Sequence, residues 1–180
     1  MRRHSSKLAI VIALLVWAVP ASAQQAGTLR GPDVVYVPTP QEVVDAMLQL
    51  AGVTGKDVVY DLGSGDGRIP ITAAQKYGAT ALGIDIDPAR IKEANENLAK
   101  AGVGSKVKFL NQDLFETDLR PATVITLYLL PALNIKLMPQ LKKLKPGTRI
   151  VSHSFDMGTE WPPDKTQDVN GRNIYYWVIK

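Results

Sequence analysis

The sequence predicts a doubly wound α/β fold, a seven-strand mixed sheet that finishes in a C-terminal antiparallel hairpin. Three observations predict it. From residue 40 onward, short apolar runs alternate with stretches of helical periodicity, the spacing expected of right-handed crossovers between parallel strands. A loop holding Gly63, Gly65 and Gly67 follows the first apolar run. Near the C-terminus, Asn170-Gly171 separates two strand-like runs and suits the paired positive φ values of a type I′ turn.

Composition supports one globular domain. The chain has 180 residues, 46% of them hydrophobic and 21% charged, and no cysteine. That excludes disulfides, a thiolate nucleophile and thiolate-ligated metal, and no metal site is expected. The formal charge of +4 is concentrated at the start, where Arg2, Arg3 and Lys7 precede any acidic residue. Without residues 1–23 the balance is 18 basic against 17 acidic residues, so overall charge does not argue for a polyanionic partner, and no nucleic acid is expected.

Residues 1–23 read as a signal peptide: a basic start, an apolar stretch from Leu8 to Val19, then Pro20 and Ala21-Ser22-Ala23 ahead of Gln24. Twelve apolar residues at 1.5 Å each fall short of a bilayer core of about 30 Å. Cleavage near Ala23, with periplasmic or secreted localisation and no stable membrane insertion afterwards, is the expectation; an uncleaved N-terminal anchor is the alternative. Residues 24–39 form a lead-in, and 40–180 the folded domain.

Thr39 followed by Pro40 and Glu42 predicts a helix start, with Thr39 as the capping hydroxyl, Pro40 at the first helical position and Glu42 as an early acid complementing the helix dipole. Val43, Val44, Met47, Leu48 and Ala51 continue it at helical spacing until Gly52. Asp57 to Leu62 reads as a buried strand and Arg68 to Tyr77 as a helix. Thr80 to Ile86 is a second strand, Pro88 to Ala101 a helix, and Lys106 to Leu110 a third strand. Ala122 to Leu130, apolar enough to be central, is the fourth; Pro131 to Leu144 is a helix and Thr148 to Phe155 the fifth strand. Thr166–Val169 and Asn173–Ile179 complete the hairpin.

Chemistry concentrates at the exits of the first three strands. The loop Asp61-Leu62-Gly63-Ser64-Gly65-Asp66-Gly67 can turn tightly and present amides at the start of the next helix. A dinucleotide fingerprint requires glycine where Arg68 stands, which disfavours a nicotinamide-dependent oxidoreductase. Asp85, closing Gly83-Ile84-Asp85, lies where a carboxylate can accept both hydroxyls of a ribose. Asp113 could accept an exocyclic adenine amine, with Leu114 against the ring.

This order of first-strand acid, glycine triplet, second-strand acid and third-strand acid resembles the seven-strand S-adenosylmethionine-dependent methyltransferases, Rossmann-like enzymes, over roughly residues 36–180. The resemblance implies S-adenosyl-L-methionine as cofactor. Asp61 would orient its methionine amino end, Gly63, Ser64, Gly65 and Gly67 would line it, Asp85 and Ile86 would hold the ribose, and Asp113 and Leu114 would face the adenine. Tyr36-Val37-Pro38-Thr39-Pro40, Leu130-Pro131, Met138-Pro139-Gln140-Leu141 and Ser152-His153-Ser154-Phe155 ahead of Trp161 look more narrowly like the small lysine methyltransferases of the ATP synthase c-subunit and adenine nucleotide translocase type. Two departures stand out: Asp85 replaces an expected glutamate, and an export signal replaces membrane or mitochondrial targeting.

The resemblance implies methyl transfer to an amine nitrogen of a protein lysine or a small molecule. In-line displacement mainly requires alignment of a deprotonated nucleophile. The fourth-strand exit, Thr126-Leu127-Tyr128-Leu129-Leu130-Pro131, lacks the Asp/Asn-Pro-Pro-Tyr signature of amide and base nitrogen methyltransferases. Tyr128 and Tyr36 are the candidate walls of an acceptor channel, where aromatic faces favour a cation; Tyr128 also fits a core tyrosine. His153 reads as a general base or as strand structure, Asp66 and Asp87 as helix caps, and Lys142, Lys143 and Lys145 as partners of a helix dipole. Trp161 with Pro162-Pro163 reads as a lid or a packed loop. The export signal also admits an exported, non-catalytic ligand-binding protein on the same scaffold.

Overall fold

The computed structural model describes residues 29–180. The expected signal segment, 1–23, and the first part of the lead-in therefore lie outside the described residues. Strands β1 (Val58–Leu62), β2 (Thr80–Asp85), β3 (Val107–Asn111), β4 (Val124–Leu127), β5 (Arg149–His153), β6 (Lys165–Val169) and β7 (Arg172–Val178) form one sheet in the order β3-β2-β1-β4-β5-β7-β6. The first five are parallel, while β7 runs antiparallel to both β5 and β6. Asn170 and Gly171 both have positive φ, 53° and 80°, as a type I′ turn requires.

Helix α1 (Gln41–Leu50) precedes β1, and α2 (Arg68–Tyr77), α3 (Pro88–Ala101) and α4 (Pro131–Leu141) connect β1 to β2, β2 to β3 and β4 to β5. Side chains alternate between the two sheet faces, so Val59, Ala81, Val124 and Val151 meet the apolar stripes of α1 and α2, while Tyr60, Leu62, Ile125 and Ile150 meet α4 and Trp177. The four residues of β4 are all buried, as a central strand should be.

Several boundaries differ from expectation for identifiable reasons. Thr39 does not cap α1. Pro40 occupies the N-cap position without a side-chain bond, because the Thr39 hydroxyl lies 3.2 Å from His153 Nδ1 and its carbonyl accepts from Arg68. Strand β4 ends at Leu127 rather than Leu130: its neighbour β1 stops at Leu62, where Gly63 turns away with φ 82°, leaving Tyr128 to Leu130 without a ladder partner on that side. Helix α4 ends at Leu141, with residues 142–143 in a turn and 144 in a bend. A 3₁₀ turn at Leu114–Glu116 was not expected; Asp113 caps it by accepting from the Phe115 amide at 2.9 Å.

Strand β1 pairs with β2 on one side and β4 on the other. The chain leaves these strands in opposite directions, and the crevice opens there, at their carboxyl ends.

Candidate active site

A cleft of about 270 Å³ occupies that switch point. Its floor comes from the β1 exit and its near wall from β2 and the 3₁₀ turn. A strap formed by residues 30–39 closes it from above. Among the described residues, no helix is long and apolar enough to cross a membrane, and no cluster of histidine and carboxylate groups could hold a metal ion.

Asp61 sits at the floor, 3% exposed. It is the register partner of Thr126, whose hydroxyl donates to Asp61 Oδ1 at 2.6 Å. No other hydrogen bond to this carboxylate occurs among the described residues. Burial pushes the Asp61 carboxyl up to about 7; the Thr126 hydroxyl opposes that shift, and the charges of Asp85 and Asp66 add to it. A buried carboxylate without a cationic neighbour is a receptor for one. The adjacent Ser64 hydroxyl is also buried without a partner.

The Asp85 carboxylate is held by backbone amides at both oxygens, Gly65 N–H to Oδ2 at 2.8 Å and Asp87 N–H to Oδ1 at 2.9 Å. The glycine loop thus orients the acid at the cleft wall. Asp87 caps α3 through the Ala89 amide at 2.8 Å. Asp66 accepts from the Arg68 amide at 3.2 Å and takes both arms of its guanidinium, at 3.0 and 2.6 Å. Burial raises the Asp66 carboxyl, but Arg68 outweighs it and holds the group below its usual range.

Asp61, Gly63, Ser64, Asp85 and Ile86 line one side of this cleft, Asp113 and Leu114 its far end, and Tyr36 and Tyr128 its upper walls. Two residues of the glycine triplet stand behind that wall. Gly65 lies under the Tyr36 ring, where a Cβ would come within 2.2 Å of the ring edge. Gly67, with φ 80°, lies against β3 and α3, where a Cβ would come within 2.4 Å of Phe109 and 3.0 Å of the Ala94 methyl.

Tyr128 continues the line of β4 beside the end of β5, with its ring 4.0 Å from that of His153, centroid to centroid. His153 is buried behind it, bonded to Thr39 on one nitrogen and unpartnered on the other. Burial, with Arg172 contributing, pushes His153 down to about 4, so the imidazole is neutral at neutral pH. It shapes the wall from behind rather than forming it. Tyr36 stacks over Gly65 with the Arg90 guanidinium 4.9 Å from its ring centre, and burial beside Asp66 pushes its hydroxyl above the usual value.

The loop expected either to cover the pocket or to pack does the latter. Trp161 lies against Trp177, its carbonyl accepts the Trp177 indole N–H at 3.0 Å, and Lys142 lies over its ring. Sequence reasoning missed Arg30 on the strap, along with Leu129 and Leu133 after β4, all of which line the cleft. No local periodicity marks Arg30; its partner Asp113 is 83 residues away.

The cleft is lined by six carboxylates, of Asp33, Asp61, Asp66, Asp85, Asp87 and Asp113, and by three guanidiniums, of Arg30, Arg68 and Arg90. Each guanidinium is already tied to a carboxylate: Arg30 to Asp33 and Asp113, Arg68 to Asp66, and Arg90 to Glu93. The free electrostatic capacity of this cleft is negative.

Residues 61–165 match the ANTKMT methyltransferase domain family. Over 154 residues the chain is 46% identical to a protein-lysine N-methyltransferase of Saccharolobus islandicus, an alignment covering 82% of this chain and 95% of that protein. It is 32% identical to the adenine nucleotide translocase lysine N-methyltransferase of Mus musculus, across 83% of this chain and 66% of the relative. A solved structure described as an RNA methyltransferase from Salinibacter ruber, bound to S-adenosyl-L-homocysteine, shares 56% identity and a TM-score of 0.78, covering 79% of this chain and 94% of that one.

Proposed function

Because the chain belongs to the ANTKMT methyltransferase domain family and is an S-adenosylmethionine-dependent methyltransferase, we propose that its acceptor is the side-chain amine of a protein lysine. The cofactor fits the cleft: Asp61 offers a buried, unpaired carboxylate for an ammonium, Ser64 an unpartnered hydroxyl, and Asp85 an oriented carboxylate for ribose hydroxyls. When bound, S-adenosylmethionine supplies a methyl group on a sulfonium, ready for in-line transfer to a nucleophilic nitrogen. The chain's own contribution is to hold and align. Tyr36 and Tyr128 border the space above Asp61 and Gly63, and the neutral His153 buttresses Tyr128 without placing a positive charge beside the incoming ammonium. One proton leaves that ammonium before the nitrogen lone pair can attack.

The observation that carries this reading is the cleft's charge. Carboxylates outnumber guanidiniums six to three and no guanidinium is left unpaired, so a cationic side chain meets no free positive charge, whereas RNA phosphates would find no free cation on these walls. The relatives named as lysine methyltransferases support the same choice. The test is to incubate the enzyme with isotopically labelled S-adenosylmethionine and cell extract, then digest separate portions with protease and ribonuclease. Label is expected in protein and, after acid hydrolysis, in methylated lysine; label released by ribonuclease overturns the reading.

We propose further that the chain is exported and cleaved after Ala23. The basic start, the apolar stretch from Leu8 to Val19 and the small-residue triplet support this. Protein recovered from the cell envelope or medium should begin at Gln24; an intact N-terminus confined to the cytoplasm is the contrary result.

A further inference from the structure

The strap over the cleft is fastened at both ends by an arginine. At its inner end, Arg68 donates from Nη1 to the Thr39 carbonyl at 2.8 Å while its other nitrogens grip Asp66, so the strap is sewn to the glycine loop where α2 begins. At its outer end, Arg30 reaches across the cleft to Asp113 on the far side of the sheet, Nε to Oδ2 at 2.6 Å and Nη2 to Oδ1 at 3.1 Å, and also binds Asp33 on the strap itself. Between these ends the strap has little apolar anchorage. Val35 is 89% exposed and Val37 56% exposed, and the partly buried Val34 and Tyr36, the latter stacked on Gly65, press the segment against the domain.

Asp113 is already engaged at both oxygens in this arrangement. One oxygen accepts from the Phe115 amide and from Arg30; the other accepts from Arg30. The Arg30 guanidinium also lies 5.5 Å from the Phe115 ring centre, opposite Asp113 on the same turn. The guanidinium holds the Asp113 carboxyl below its ordinary range, as a formed ion pair should. The third-strand acid, which the resemblance would give to adenine, is occupied here by the strap.

Building on the methyltransferase assignment, we propose that Arg30 and Asp113 form a latch that fastens the strap over the bound cofactor, so that Asp113 governs cofactor retention through Arg30 rather than through its own contact with adenine. The inner anchor is the better protected, because Thr39 is buried and held by both Arg68 and His153, whereas Arg30 and its strap partner Asp33 are each more than a third exposed. The strap therefore lifts from the Arg30 end and pivots near Thr39-Pro40, and cofactor and product exchange follow that opening. A partly exposed ion pair is weakened by salt, so the latch is salt-sensitive while the buried floor of the site is not.

The test is the dissociation rate of S-adenosylhomocysteine from the full-length protein, measured by competitive displacement, for wild type, Arg30→Ala, Asp113→Asn and the double variant. Asparagine keeps an oxygen for the Phe115 amide, so the 3₁₀ turn retains its cap. Each single substitution is expected to accelerate dissociation about tenfold and, because the latch is also closed in the ligand-free protein, to accelerate association as well, and the double variant should be no faster than either single one. Raising salt from 0.05 to 0.5 M should accelerate dissociation several-fold in wild type and leave Arg30→Ala unchanged. If Asp113→Asn accelerates release as much in the Arg30→Ala background as in wild type, Asp113 holds the adenine itself and the latch is wrong. Amide exchange of residues 31–38 in the ligand-free protein provides a readout independent of cofactor: it should quicken at least tenfold in Arg30→Ala, and equal exchange in the two proteins overturns the proposal. A wild type that binds no S-adenosylhomocysteine would instead count against the methyltransferase assignment.

Discussion

Replacing Asp61 with asparagine should make the ligand-free protein more stable at pH 8 while removing most of its affinity for S-adenosylhomocysteine. The carboxyl titrates near 3.8 when exposed and near 7 in the fold, because burial penalises its charged form. A raised carboxyl is neutral in both folded and unfolded chains below about pH 4 and carries no penalty there. As pH rises through that value the unfolded chain ionises freely while the folded one resists, so stability is lost between about pH 4 and pH 7. Above pH 7 the loss reaches on the order of 2–4 kcal/mol. Asparagine avoids it and can still accept from the Thr126 hydroxyl through its own carbonyl oxygen. A rise in Tm of roughly 4–12 °C at pH 8, vanishing near pH 4, is the expected calorimetric result. The affinity loss arises because the ammonium of the ligand then faces an uncharged amide; breaking a buried charge pair costs about 2–5 kcal/mol, or roughly 30-fold to several-thousand-fold. Destabilisation at pH 8, or unaltered binding, would show that Asp61 serves packing instead of ligand charge.

Gly67→Ala should be strongly destabilising. The residue has φ 80°, and its missing Cβ direction points at the Phe109 ring, 2.4 Å away, and at the Ala94 methyl, 3.0 Å away. The added methyl must both strain the backbone and push α3 and β3 from the loop, a combined cost of about 2–4 kcal/mol. The expected fall in Tm is roughly 5–15 °C. Gly102→Ala isolates the backbone component, because Gly102 has φ 72° and no atom near its Cβ direction; it should cost about 1 kcal/mol. Equal losses for the two variants would mean that the loop, α3 and β3 do not meet closely in solution.

These two residues show how legible the site was in sequence. Asp61 and Asp85 were recoverable because each ends an apolar run beside a glycine-rich turn, a local pattern. The roles within the triplet were not. Gly63 lines the cleft, Gly65 makes room for Tyr36 and gives its amide to Asp85, and Gly67 makes room for Phe109. Three identical residues at alternate positions serve different neighbours, and those neighbours come from segments 20 to 42 residues away along the chain.

By itself the sequence determined the alternation of strands and helices, the centrality of β4, the type I′ hairpin and the acids at the strand exits. Each is written in short-range periodicity, turn chemistry or motif spacing. Tertiary structure alone decided what long-range pairing decides. Thr39 was diverted from capping α1 to meet His153, Trp161 was packed against Trp177 away from the pocket, and Arg30 was carried across 83 residues to Asp113. A hydroxyl, an indole and a guanidinium can each satisfy local or distant partners, and the choice depends on which groups the sheet order brings within about 3 Å.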